Sequence, residues 1–120
     1  MPKSDLSRLR HMQEAAAEAI AYAEDKTILD LEADRMRALA LTRCIEIIGE
    51  AAASVSAEYK ADHPELPWKV MAAMRNRLIH AYFEVDLKVI LDTVHHDLPP
   101  LVGLLDRLIA ELPEPPSEPI

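Results

Sequence analysis

The sequence predicts an all-α protein, an antiparallel bundle of four to five helices. Three observations predict it. The 120 residues hold only two glycines, Gly49 and Gly103, too few for many hairpin turns. Only Tyr22, Tyr59, Trp68, Tyr82 and Phe83 are aromatic, although strands favour such side chains. Alanine, leucine and glutamate dominate instead, and all three are good helix formers. With 50% of residues hydrophobic and 28% charged, general disorder is excluded. The length suits one domain with its own core.

The first helix is expected from about Asp5 to Glu24, with Ser4 as its N-cap. Leu9, Met12, Ala16, Ala19 and Ala23 recur at alternating spacings of 3 and 4, which makes one apolar stripe. Residues 25–30 interrupt the pattern and form the expected connection. A long second helix then runs from about Asp30 to Lys60. Ala38, Leu41, Ile45, Ile48, Ala52 and Val55 make one seam on it. Ala40, Cys44, Ile47 and Ala51 make a second, about 100° around the axis. Two adjacent apolar stripes call for two partners. These are either the rest of the bundle alone or the bundle plus a second subunit. Gly49 lies within this helix, where glycine costs roughly 1 kcal/mol against alanine; close helix–helix approach would account for it.

Asp62-His63-Pro64 ends the second helix, because the residue before proline disfavours helical geometry. Pro67 suits the first turn of a third helix, continuing through WKVMAAMRNRLIHAY. Phe83-Glu84-Val85 breaks that run. Asp86 caps a fourth helix bearing Leu87, Ile90, Leu91 and Val94, and Pro99-Pro100 opens a fifth with Leu101, Leu104, Leu105, Leu108 and Leu112. No internal repeat or central linker divides the chain, so residues 1–112 read as a single domain. The proline-rich, acidic segment 113–120 reads as a disordered tail.

A single cysteine, Cys44, excludes an intramolecular disulfide and a cysteine-based zinc cage. No apolar run approaches the roughly 18 residues that a membrane span requires, and the charged start MPKSDLSRLR has no signal-like apolar segment. A cytoplasmic, membrane-free setting is the expectation. The net charge of −8 argues against a general nucleic-acid coat. It leaves room for a local basic site. Residues 66–83 form the longest stretch without Asp or Glu, and they carry Lys69, Arg75 and Arg77.

Within that stretch lies Arg75-Asn-Arg-Leu-Ile-His80-Ala-Tyr82. Arginine presents a planar fork of donors suited to phosphate, and histidine moves protons near neutrality. RNA cleavage needs both: a base for the ribose 2′-hydroxyl, and donors for the charge on the phosphorane. No metal or other cofactor is then required. On a continuous helix Arg75 and His80 lie about 140° apart, whereas Asn76 and Arg77 sit at i,i+4 and i,i+3 from His80. Spacing alone makes this a weak signal. The alternative is a pair of arginines held by carboxylates of neighbouring helices.

Other polar residues carry less. Asp92 and His95 give one D-x-x-H element, short of the paired motifs of helical metal sites, so a solvated helix end is expected. His11 and His63 read as surface or turn residues. Glu46 and Glu50 repel at i,i+4 unless a cation approaches, and Arg43 is the i,i+3 partner of Glu46. Cys44 reads as a core residue, and Trp68 as an anchor for the third helix rather than a base-stacking platform.

The stretch PWKVMAAMRNRLIHAYFEVDLKVILDTVHHDLP at 67–99, with IEIIGEAA at 45–52 upstream, resembles the HepT-like branch of the HEPN superfamily. The block order also agrees: a long second helix, the HPELPW turn, MRNRLIHAYF, then VDL and DLP. The likeness covers roughly residues 5–112. It implies a helical bundle that forms a homodimer, with two R-x4-H motifs in a shared cleft. It further implies a metal-independent endoribonuclease toxin of a type II toxin–antitoxin system, with RNA as substrate and an MNT-type nucleotidyltransferase antitoxin as partner. Arg75 and His80 would be the catalytic pair, Asn76 would orient His80, and Tyr82 would accept the silencing adenylyl group. Ala81 stands where the family often has glycine. A non-catalytic subunit that binds and regulates the nucleotidyltransferase is the alternative with the same fold and partner.

Overall fold

The computed structural model describes residues 3–77, 79–81 and 84–112, and its architecture is all-α apart from one small hairpin. Helix α1 spans Lys3–Ala23. Short α2 (Ile28–Ala33), long α3 (Arg35–Ser54) and short α4 (Ala57–Asp62) follow. Helix α5 covers Trp68–Arg77. Strands β1 (Ile79–Ala81) and β2 (Glu84–Val85) pair antiparallel, with Ile79 opposite Val85 and Ala81 opposite Glu84. Helix α6 (Leu87–Asp92) passes through a π-helical turn at Thr93–Asp97 into α7 (Leu98–Glu111).

Helix α3 is the centre. It packs on α1 and on α5, while α7 lies along α1. Contacts at both ends show that α1 and α3 are antiparallel. At one end the Ser56 N–H and Oγ donate to Asp5 at 2.9 and 2.6 Å. At the other, Arg37 Nη1 donates to the Tyr22 carbonyl at 2.7 Å. The α1 stripe Leu9, Met12, Ala16, Ala19 and Ala23 is fully buried, as is most of the first α3 seam. The second seam is covered only in part: Cys44 and Ala51 are buried, Ala40 and Ile47 half-buried. Met36 beside them is 82% exposed.

Four boundaries differ from expectation, each for a local reason. Ser4 is not a cap, since α1 already runs from Lys3; Asp5 supplies the carboxylate in its first turn. The connection after α1 is shorter than 25–30, because Thr27 and Asp30 form a capping box that starts α2 at Ile28. The long helix from Asp30 to Lys60 is three helices. Asp34 leaves helical geometry and turns its carboxylate onto the Arg37 N–H at 3.1 Å, which starts α3. Val55 and Ser56 are extended, and Ser56 Oγ accepts the Tyr59 N–H at 3.2 Å to start α4.

The fourth difference concerns the third predicted helix. It stops at Arg77 rather than continuing to Tyr82, and the backbone at His80 lies in β1. Ile79, Tyr82, Phe83 and Val85 gather β-branched and aromatic side chains in a chain otherwise poor in aromatics. Downstream, Asp86 caps α6 as expected, its Oδ1 accepting the Val89 N–H at 3.1 Å. The last helix begins at Leu98, with prolines in its first turn. Pro99 and Pro100 cannot donate to the preceding turn, and the wider π turn, closed by Leu98 N–H to Thr93 carbonyl, stands directly before them. The expected tail at 113–120 lies outside the described residues.

Candidate functional site

The acid-free stretch begins at Leu66, which is buried, and enters α5 through Trp68. The Trp68 indole N–H donates to the His63 carbonyl at 2.8 Å, and its ring meets Tyr59 edge-on at 6.1 Å. This is the anchoring role expected of it. Met71 and Met74 then bury one face of α5, while Lys69, Val70 and Asn76 stay exposed. The anchor and the two methionines fix how α5 sits against the bundle, and therefore where its last turn ends.

Arg75, Asn76 and Arg77 occupy that last turn, where cations are favoured by the negative end of the helix dipole. His80 follows on β1, beyond the end of the helix. The helical offset of about 140° between Arg75 and His80 therefore does not apply. Neither does the i,i+4 relation by which Asn76 was expected to orient His80, nor the i,i+3 relation of Arg77. Arg75 on the last turn of α5 and His80 on β1 thus stand on either side of the junction between helix and hairpin. The side chains of Arg75, Arg77 and His80, and Tyr82 as a whole, lie outside the described residues.

Several of the remaining polar residues have structural partners. Arg43 lies 3.9 Å from Glu46 and 3.8 Å from Glu50, supplying the cation these two carboxylates need. Cys44 is buried, and burial pushes its thiol above the ordinary range, with the Glu18 charge adding to the effect. His95 Nε2 lies 2.9 Å from the Ala23 carbonyl, so this exposed imidazole ties the π turn to the end of α1. His11 is exposed, and His63 sits at the C-terminus of α4. Among the described residues, no three His, Cys, Asp or Glu side chains are grouped to hold a metal ion. No helix among them is long and apolar enough to cross a membrane.

Two features were missed in the sequence. Asp5 is 1% exposed and grips Ser56 across 51 positions, a contact that no local pattern announces. The Tyr59 hydroxyl is buried and has no hydrogen-bond partner among the described residues. Burial pushes its pKa above the usual phenol range, and the charges of Glu65, Glu111 and Asp5 add to this.

The family model described as Ribonuclease HepT-like matches residues 12–108. The chain is 43% identical over 99 residues to a protein of Thermococcus cleftensis named "Probable ribonuclease HepT", covering 79% of this chain and 90% of that one. It is 30% identical over 113 residues to a Methanocaldococcus jannaschii protein named "Putative RNase MJ0127", covering 93% of each. A longer protein of the same organism, named "Gamma-glutamylcyclotransferase and putative RNase MJ0434", shares 36% identity over 104 residues, 87% of this chain but 47% of that one. No solved structure matches the chain.

Proposed function

The chain belongs to the HepT-like family, and on that premise we propose that it is a metal-independent endoribonuclease acting through Arg75 and His80. The observation that carries this reading is the junction of α5 and β1. It joins an arginine and a histidine within the longest stretch free of carboxylates, on a body that is otherwise acidic. The relatives' names, all of which contain ribonuclease or RNase, support the same chemistry.

In this reading RNA approaches through its phosphate, and the Arg75 guanidinium holds the non-bridging oxygens. His80 removes the proton of the adjacent ribose 2′-hydroxyl. The 2′-oxygen bonds to phosphorus as the bond to the 5′-oxygen breaks. The leaving oxygen takes a proton from an imidazolium, either His80 itself or its symmetry mate in a homodimer. The products are a 2′,3′-cyclic phosphate and a 5′-hydroxyl. Arg75 stabilises the extra charge on the phosphorane, and Arg77 adds to the local positive potential. Asn76, exposed on the last turn of α5, offers a further donor to the phosphate path.

The half-covered second seam of α3, with exposed Met36 and Leu39 beside it, is the apolar face available to a second subunit. A homodimer would bring two motifs into one cleft. The partner in this reading is an MNT-type nucleotidyltransferase antitoxin that transfers AMP from ATP to the Tyr82 hydroxyl with release of pyrophosphate. The added phosphodiester is an anion two residues from His80, and it competes with RNA for the same donors. Together these make the protein the toxin of a type II pair.

The test uses an RNA carrying a single 2′-deoxyribose at the mapped cut site. Cleavage should vanish there and persist in the all-ribose strand, with cyclic phosphate ends. Cleavage of the deoxy-substituted strand refutes the proposed attack. Mass spectrometry after incubation with the nucleotidyltransferase and ATP should find one AMP on Tyr82. An adduct at another residue, or none, removes the silencing scheme.

A further inference from the structure

An open cavity of about 240 Å³ lies between α5 and the start of α7. Its walls are apolar, with Val70, Met71 and Met74 on one side and Leu101 and Leu104 on the other. Val70 is 49% exposed, so part of this wall is left to solvent. Met74 immediately precedes Arg75, and Val70 stands five residues, about 7.5 Å of helix, before it. The cavity thus runs up to the last turn of α5, where the Arg75–His80 junction begins.

The polar residues of the described lining are His96 and Asp97, both exposed and both on the π turn. Asp97 stands at the N-cap position of α7 but makes no capping hydrogen bond. A capping carboxylate accepts from the N–H of the second or third helical residue. Here those residues are Pro99 and Pro100, which have none. The helix therefore has no use for this carboxylate, and such breaks of a local rule concentrate at functional sites. The π turn itself is a feature frequent at such sites. It is held in place: His96 stands edge-on to His95 at 6.5 Å, and His95 Nε2 lies 2.9 Å from the Ala23 carbonyl.

On the premise that the chain cleaves RNA at Arg75 and His80, we propose that this cavity receives the base of a nucleotide next to the scissile phosphate and selects guanine. The volume is below the roughly 300–1,000 Å³ of sites for drug-sized ligands and suits one flat ring system. An unstacked base is held between apolar side chains, and thioethers such as those of Met71 and Met74 make favourable contacts with aromatic rings. The Asp97 carboxylate accepts from guanine N1–H and the 2-amino group, two donors side by side. Uracil presents its one N–H between two carbonyl oxygens. Adenine and cytosine each present an amino donor beside an acceptor nitrogen. A carboxylate in this place also repels phosphate, so the backbone stays on the side of Arg75 and only the base enters.

The methionines of the cavity wall report on it directly. The full chain, with ¹³C-labelled methionine methyl groups, is titrated with the 5′-monophosphates of guanosine, adenosine, cytidine and uridine. These share a phosphate and differ in the base. Guanosine monophosphate should shift the Met71 and Met74 methyl resonances saturably and leave Met12, buried in α1, unmoved. It should bind at least about tenfold more tightly than the other three, the scale of a good bidentate contact. Asp97→Asn should reduce its binding to that of adenosine monophosphate at an unchanged melting temperature, since no cap is lost. Equal binding of all four nucleotides, no shift at Met71 and Met74, or a guanosine preference kept in Asp97→Asn overturns the proposal. Mapping the cuts in a random-sequence RNA separates this inference from the ribonuclease reading. Wild type should enrich guanine beside the cut and Asp97→Asn should not; cuts without that enrichment overturn the base site alone. Absence of any cut refutes the ribonuclease reading, and the methyl shifts then decide the base site by themselves.

Discussion

Replacing Asp5 by alanine tests how the bundle is held at the end remote from the Arg75–His80 junction. Asp5 is 1% exposed, and its carboxylate accepts from the Ser56 N–H at 2.9 Å and from Ser56 Oγ at 2.6 Å. The same Ser56 oxygen accepts the Tyr59 N–H at 3.2 Å. Asp5 thus orients the hydroxyl that caps α4, as well as tying α1 to the α3–α4 joint. A hydrogen bond to a charged group is worth about 1.5–3 kcal/mol. Water entering the open cavity that Asp5 lines recovers part of this, so Asp5→Ala should cost about 3 kcal/mol, a large share of the roughly 5–15 kcal/mol that holds a domain. At roughly 4 °C per kcal/mol the melting temperature should fall by about 12 °C. Ser56→Ala should cost about 2 kcal/mol, from the cap and the same carboxylate contact. Because that contact is lost in both single variants, the double variant should cost about 1.5 kcal/mol less than their sum. Urea unfolding followed by far-ultraviolet circular dichroism supplies all four corners of the cycle. Strict additivity, or an Asp5→Ala cost below about 0.5 kcal/mol, refutes the linkage.

Two further stability predictions follow. Cys44 and Tyr59 both have folded-state pKa values above their ordinary ones, so between the unfolded and folded values the native state binds more protons. Stability should hold below about pH 9 and fall as pH rises through the thiol and then the phenol range. Urea midpoints between pH 7 and 11 should show this decline, and Cys44→Ala should flatten its first part. Asp34→Ala removes the cap of α3 and the 3.2 Å contact to Arg37 Nε, at an expected cost of about 1 kcal/mol. An unchanged urea midpoint counts against Asp34 as the residue that breaks the long helical run.

The helical periodicity was legible because burial follows it closely. Every residue of the α1 stripe is at 0% exposure, and so are Leu41, Ile45, Ile48 and Ala52 of the α3 seam. Helix ends were legible where proline or a lone aspartate marked them, as at His63-Pro64 and Asp86. They were not legible at Asp34 or Ser56, where one side chain competes with the backbone inside an otherwise unbroken helical pattern. The hairpin after α5 was hidden for a related reason: the motif reads smoothly as helix, and the strand pairing of Ile79 with Val85 and Ala81 with Glu84 replaces it. The candidate pair was legible through its chemistry and its acid-free setting, with the helical angle between its members the misleading part. Tyr59 was not legible as a buried hydroxyl without a partner among the described residues, since its burial comes from packing between segments far apart in sequence.

The account's central claim is that Arg75 and His80 together cleave RNA without a metal ion. The most direct measurement is the initial rate of cleavage of a labelled RNA by purified full chain in excess EDTA, with wild type, Arg75→Ala and His80→Ala compared at equal melting temperature. The account predicts undiminished wild-type cleavage in EDTA and a loss of at least about 100-fold in each variant, the scale of a general acid–base contribution. Wild-type cleavage abolished by EDTA, or a His80→Ala protein as fast as wild type, contradicts it.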